Sequence, residues 1–122
     1  MVDLAVLVER ADEIRRLYDE QNRRMGRHSW GAAEYAQGLV ADVGDLVKLI
    51  MARNGFRDAD DIDRRIEHEL VDCLWSVLVL ARELDVDLEA GFKRGMDDLA
   101  QRITGVNQGR GDAAQGDESD RS

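Results

Sequence analysis

The chain has no proline, one cysteine (Cys73) and two histidines in 122 residues, and aromatic side chains are only 5% of it. A single cysteine excludes an internal disulfide. No apolar run reaches membrane-spanning length and no N-terminal signal pattern is present, so the sequence predicts a protein of a reducing, cytoplasmic setting. Basic side chains are also in deficit, with 17 Lys and Arg against 26 Asp and Glu, giving a formal net charge of −9. That balance disfavours binding to a nucleic-acid backbone or an anionic membrane. A small anionic ligand is still admissible, because divalent cations held on clustered carboxylates would invert the local field. At 13.7 kDa the chain suits one small domain with a modest core.

Abundant Leu, Ala, Arg, Glu and Asp favour helices over sheets, and the fold class expected is all-α. Leu4, Leu7, Val8, Ala11, Ile14, Leu17 and Tyr18 recur at three- and four-residue steps, which predicts an amphipathic helix over 2–25 with a solvated charged face. Gly26 and Gly31 bracket an interruption, and a second helix is expected over 32–53, closed by Asn54-Gly55. A third should begin in the acidic run 58–63 and continue to Leu84, and Asp87 reads as the N-cap of a fourth over 88–104. The expected domain is therefore 1–104, a four-helix bundle-like unit, and 105–122 reads as a disordered acidic tail lacking large apolar side chains after Val106.

Within the third helix, ten of the twelve residues from Leu70 to Ala81 are apolar and Asp72 is the only charge. A helix apolar nearly all round needs cover on several sides, which predicts a homo-oligomer, dimer or tetramer. Glu69 and Asp72 stand at i, i+3 beside the apolar stripe of Ile66, Cys73 and Val77, and Asp42 and Asp45 repeat that spacing on the second helix beside Leu39, Leu46 and Ile50. If the pairs converge, four carboxylates must share a low-dielectric site, so they either retain protons or hold cations. Oxygen donors alone, without His or Cys at matching spacing, select Mg²⁺ or Mn²⁺ over zinc. A di-iron bundle would need Glu-x-x-His, and Arg65 stands three residues before His68. The competing structural explanation is a solvated acidic face, with Asp45 paired to Lys48 at i+3.

The order of these motifs resembles that of the MazG-like nucleotide pyrophosphohydrolases, of the all-α NTP pyrophosphatase superfamily. Ala41-Asp42-Val43-Gly44-Asp45-Leu46 is similar to the family's Glu-Glu-Val-Gly-Glu-Leu, and Glu69-Leu70-Val71-Asp72 matches its Glu-x-x-Asp. Trp30, the Leu-Ala-Arg-Glu-Leu run at 80–84 and the Asp87-Leu88 start agree as well, so the resemblance covers roughly residues 10–104. Asp replaces Glu at 42 and 45, and Ala41 replaces an acid, which shortens the first half of the motif.

The resemblance implies hydrolysis of a nucleoside triphosphate, ribo- or deoxyribo-, to the monophosphate and pyrophosphate, a reaction suited to clearing surplus or non-standard nucleotides. It implies Mg²⁺ or Mn²⁺ on Asp42, Asp45, Glu69 and Asp72, with Asp42 also orienting or deprotonating the attacking water. Lys48, Arg53, Lys93, Arg94 and Arg102 are the candidate phosphate contacts, against the alternative of solvated helix surface. Trp30, Tyr18, Asn22 and Trp75 are the candidate base contacts, with core packing the competing role for Trp75. The alternative function is a catalytically degenerate helical dimer that binds nucleotides or a protein partner.

Overall fold

The computed structural model describes residues 3–55 and 59–109. Four helices occur among them, α1 (Leu4–Arg24), α2 (Ala32–Asn54), α3 (Ala59–Glu83) and α4 (Leu88–Gly109), and no strand, so the protein is all-α there. No helix is long and apolar enough to cross a membrane. The chain divides into two units, 1–87 and 88–122. In the first, α3 packs against both α2 and α1. Arg53 meets Asp63 at 3.3 Å near the α2–α3 connection, while Asp42 reaches Asp72 further along, so α2 and α3 run antiparallel. The second unit is α4, which extends five residues beyond the expected end at Thr104. The rest of the expected tail, 110–122, and Asp58 in the expected start of α3 lie outside the described residues.

Two helix ends are built alike. After α1, the Arg27 amide donates to the Asn22 carbonyl (2.7 Å) and the Gly26 amide to that of Arg23 (3.1 Å), with Gly26 at φ 71°. After α3, the Val86 amide donates to Ala81 (2.8 Å) and the Asp85 amide to Arg82 (3.2 Å), with Asp85 at φ 58°. Both are Schellman closures that satisfy the last helical carbonyls, and both need a left-handed residue. At the start of α2 the Glu34 carboxylate accepts from the Gly31 amide at 2.8 Å, satisfying one orphan donor.

The buried apolar residues are Ala11, Tyr35, Leu49, Ile62, Leu78, Val79 and Ala81. Tyr35 is at their centre, and Trp75 and Trp30 meet its ring edge-on at 5.5 and 5.3 Å. The expected division of α1 into an inner apolar stripe and a solvated charged face is corrected: Leu17 and Tyr18 are exposed, and Asp12 is buried. Asp12 accepts from Arg15 at 2.9 Å and from Arg16, and Arg82 of α3 stands 3.9 Å away while also pairing with Glu9. A buried carboxylate demands such partners. Its ligation by two arginines of its own helix and one of α3 makes the inner face of α1 partly ionic.

Candidate metal centre

Asp42 is carried by α2 and Glu69 and Asp72 by α3, and one carboxylate oxygen from each lies within 4.8 Å of the others. Helical spacing delivers this geometry. Tyr35, Leu39, Asp42, Leu46 and Leu49 follow one another at four- and three-residue steps, so the stripe that buries Tyr35 and Leu49 also turns Asp42 toward α3. On α3, Ile62, Ile66, Glu69 and Cys73 make the corresponding stripe. All three carboxylates are half-buried, and they form the only group of three potential ligands among the described residues.

Burial and neighbouring charge act together on the ionisable groups of the site. Burial, followed by the charges of Asp72 and Asp45, raises the Asp42 carboxyl above its usual range, against a small opposing effect of His68. Glu69 is raised by burial and then by Asp42, Asp45 and Asp72. The Cys73 thiol, half-buried beside them, is pushed up by burial and by the charges of Asp42, Glu69 and Asp72. Glu69 Oε1 is buried without a hydrogen-bond partner. Asp72 Oδ2 lies 3.2 Å from His68 Nε2 on the exposed side of the helix.

This donor set fits a hard divalent ion. Three carboxylate oxygens within 4.8 Å of one another, without sulfur or nitrogen among them, are the donor chemistry that such an ion takes. The orphaned Glu69 oxygen would gain a cation as its partner.

Asp45, the fourth expected ligand, is exposed and outside this group, although its charge acts on both Asp42 and Glu69. Three residues along α2 turn it about 60° away from Asp42. Among the described residues Asp45 forms no ion pair with Lys48, and its exposure agrees with the alternative of a solvated acidic face at this position.

The other expected site residues are placed differently. Arg53 lines an open groove with Asp63, Ile66, Glu67, Leu70, Val71 and Leu74, away from the carboxylates. Lys48 is exposed on α2. On α4, Lys93 pairs with Glu89 at 3.3 Å, and Arg94 and Arg102 are exposed. Trp75 donates from Nε1 to the Ala11 carbonyl at 3.1 Å and packs edge-on against Tyr18 and Tyr35, so it ties α1 to α3 as a core side chain. Trp30 and Tyr18 remain about half exposed at the two ends of this aromatic row, and Asn22 is half-buried.

Sequence reasoning missed Tyr35, although its register with Asp42 was a usable signal. Burial, then Asp19, pushes its hydroxyl up to about 12. Comparison of the chain with family models, with curated proteins and with solved structures finds no match. The functional reading therefore rests on the chain's own residues.

Proposed function

We propose that the protein is a metal-dependent nucleoside triphosphate pyrophosphohydrolase with a MazG-type four-helix fold. The observation that carries this reading is the convergence of Asp42, Glu69 and Asp72 from two helices, with a Glu69 oxygen buried and unpartnered. Asp42, Glu69 and Asp72 would hold Mg²⁺ or Mn²⁺, with Asp45 close enough to add charge. When bound, the ion supplies charge neutralisation for a triphosphate, which a chain of net charge −9 would otherwise repel.

The chain's own contribution is positioning and proton handling. Asp42 stands on the helix facing Glu69 and Asp72, where its carboxylate can accept a proton from a water held between the two helices. In the proposed reaction it would orient a water and accept its proton as the water oxygen bonds to phosphorus and the bridge between the α- and β-phosphates breaks, releasing the monophosphate and pyrophosphate. Glu69 and Asp72 are fixed one helical turn apart on a single rigid helix, which holds the site's geometry. Trp30 and Tyr18, with their half-exposed rings, are the side chains open to a base.

A second reading, a metal-binding relative without hydrolytic activity, is favoured by the displacement of Asp45 from the ligand group and by the short aspartates of α2. One experiment addresses both. Calorimetric Mn²⁺ titration of wild type and Asp72→Asn should show affinity weakened about tenfold or more in the variant. Release of pyrophosphate from a nucleotide panel with Mg²⁺ or Mn²⁺ should fall with it. Equal Mn²⁺ binding by the two proteins rejects the metal site, and binding without pyrophosphate release selects the second reading.

A further inference from the structure

Burial fixes Glu69 more firmly than Asp72. One oxygen of Glu69 is fully enclosed, whereas Asp72 keeps 40% of its side-chain surface open. The last torsion of an aspartate side chain is broad, so an open carboxyl group turns freely unless a partner holds it. For Asp72 that partner is His68, whose Nε2 stands 3.2 Å from Oδ2.

Helix geometry prepares this contact. Asp72 follows His68 by four residues and Glu69 by three, which places it between the two on the surface of α3, about 40° from one and about 60° from the other. Its carboxyl group can therefore address the imidazole and the carboxylate cluster together. His68 is also the one group that opposes the crowding at both Asp42 and Glu69, since every other charge acting on them is a carboxylate.

Two simpler roles account for the pair less well. At i, i+4 on a helix the favourable order sets the anion N-terminal to the cation, and here the histidine comes first. With side chains 70 and 40% open, a pair in that order contributes little to helix stability. A direct ligand role does not suit the imidazole either, because its nitrogens do not join the group of oxygens within 4.8 Å of one another.

We propose that His68 is a positioning residue of the metal centre, donating from Nε2 to Oδ2 of Asp72 and so holding that carboxyl group turned toward Asp42 and Glu69. The inference rests on the reading of these carboxylates as a cation site and adds to it a side chain outside the ligand set. A ligating carboxylate that is already hydrogen-bonded loses less freedom when the ion arrives, so the ion binds more tightly.

Calorimetric titration with Mn²⁺ tests it. His68→Ala should weaken binding by about tenfold. His68→Gln, whose amide can donate from nearly the position of Nε2, should retain most of the wild-type affinity. In an Asp72→Asn background His68→Ala should change the affinity by less than about twofold, since the residue acts only through Asp72. A spectroscopic readout needs no metal: in EDTA the ring ¹⁵N signals of His68 should show a proton on Nε2 and should shift in Asp72→Asn. Wild-type affinity in His68→Ala, with Asp72→Asn weakened, overturns the positioning role and leaves the metal site standing. Equal losses in His68→Ala and His68→Gln overturn it as well, as does a loss that persists undiminished beside Asp72→Asn. A wild type that binds no Mn²⁺ removes the cation site and this inference with it. Pyrophosphate release does not enter these measurements, so the positioning role is judged separately from hydrolysis.

Discussion

Two groups of carboxylates in this chain are buried to different ends. Asp12 is almost inaccessible and surrounded by arginines, Arg15 and Arg16 from its own helix and Arg82 from α3. Asp42, Glu69 and Asp72 are half-buried among one another with a single histidine nearby. The first arrangement satisfies its charges internally, whereas the second leaves negative charge in excess and could hold a cation. Removing one partner of a buried ion cluster leaves the rest uncompensated, so Asp12→Asn should destabilise the fold by about 2–4 kcal/mol, read by urea unfolding. A change below about 0.5 kcal/mol would show that Asp12 contributes no more than a surface ion pair does.

The Schellman closures of α1 and α3 form a natural comparison at the level of the element. The amide-to-carbonyl bonds are the same, but the left-handed position is Gly26 in one and Asp85 in the other. A side chain in that conformation crowds the following carbonyl, and aspartate tolerates it better than most residues without escaping the cost. Asp85→Gly should therefore stabilise the protein by about 0.5–1 kcal/mol, and Gly26→Asp should destabilise it by a similar amount. Thermal melts of the pair check this, and a loss of stability in Asp85→Gly would mean that the Asp85 side chain supports the α3–α4 connection in its own right. Helix α3 shows a second element-scale feature. Its C-terminal part buries Leu78, Val79 and Ala81, whereas Leu70, Val71 and Leu74 are exposed one to two turns earlier. One apolar run thus serves the core at one end and an open face at the other.

At the scale of the molecule, the crowded carboxylates should make stability depend on pH. Asp42 and Glu69 have raised folded-state pKa values, so across the carboxylate range the native state binds more protons than the unfolded chain. Stability then falls as pH rises through that range, and the full penalty is present at neutral pH. In EDTA, Asp42→Asn should raise the melting temperature at about pH 7 and have less effect at about pH 4.5. With Mn²⁺ the order reverses, because the wild type gains binding energy that the variant has lost. A variant less stable than wild type in EDTA at both pH values would instead make Asp42 a structural residue.

The all-α class, the four helices and the shared face of Glu69 and Asp72 on α3 were legible in the chain because they depend on local periodicity, which puts side chains spaced by three and four on one helix face whatever the helix later meets, whereas the approach of Asp42 from α2 was decided by packing. Asp45 was read on the same spacing, yet a 60° turn round α2 was enough to leave it outside the ligand group. Periodicity also made α1 a simple amphipathic helix. Which of its faces turned inward was decided by α3, whose Arg82 and Trp75 approach Asp12 and the Ala11 carbonyl and leave Leu17 in solvent. Likewise the run from Leu70 to Ala81 announced a need for cover without saying where. Only packing against α1 and α2 assigned Leu78 and Val79 to the interior and Leu70 and Leu74 to the open face, because burial is a property of neighbours brought together in space and not of the residues that carry the apolar surface.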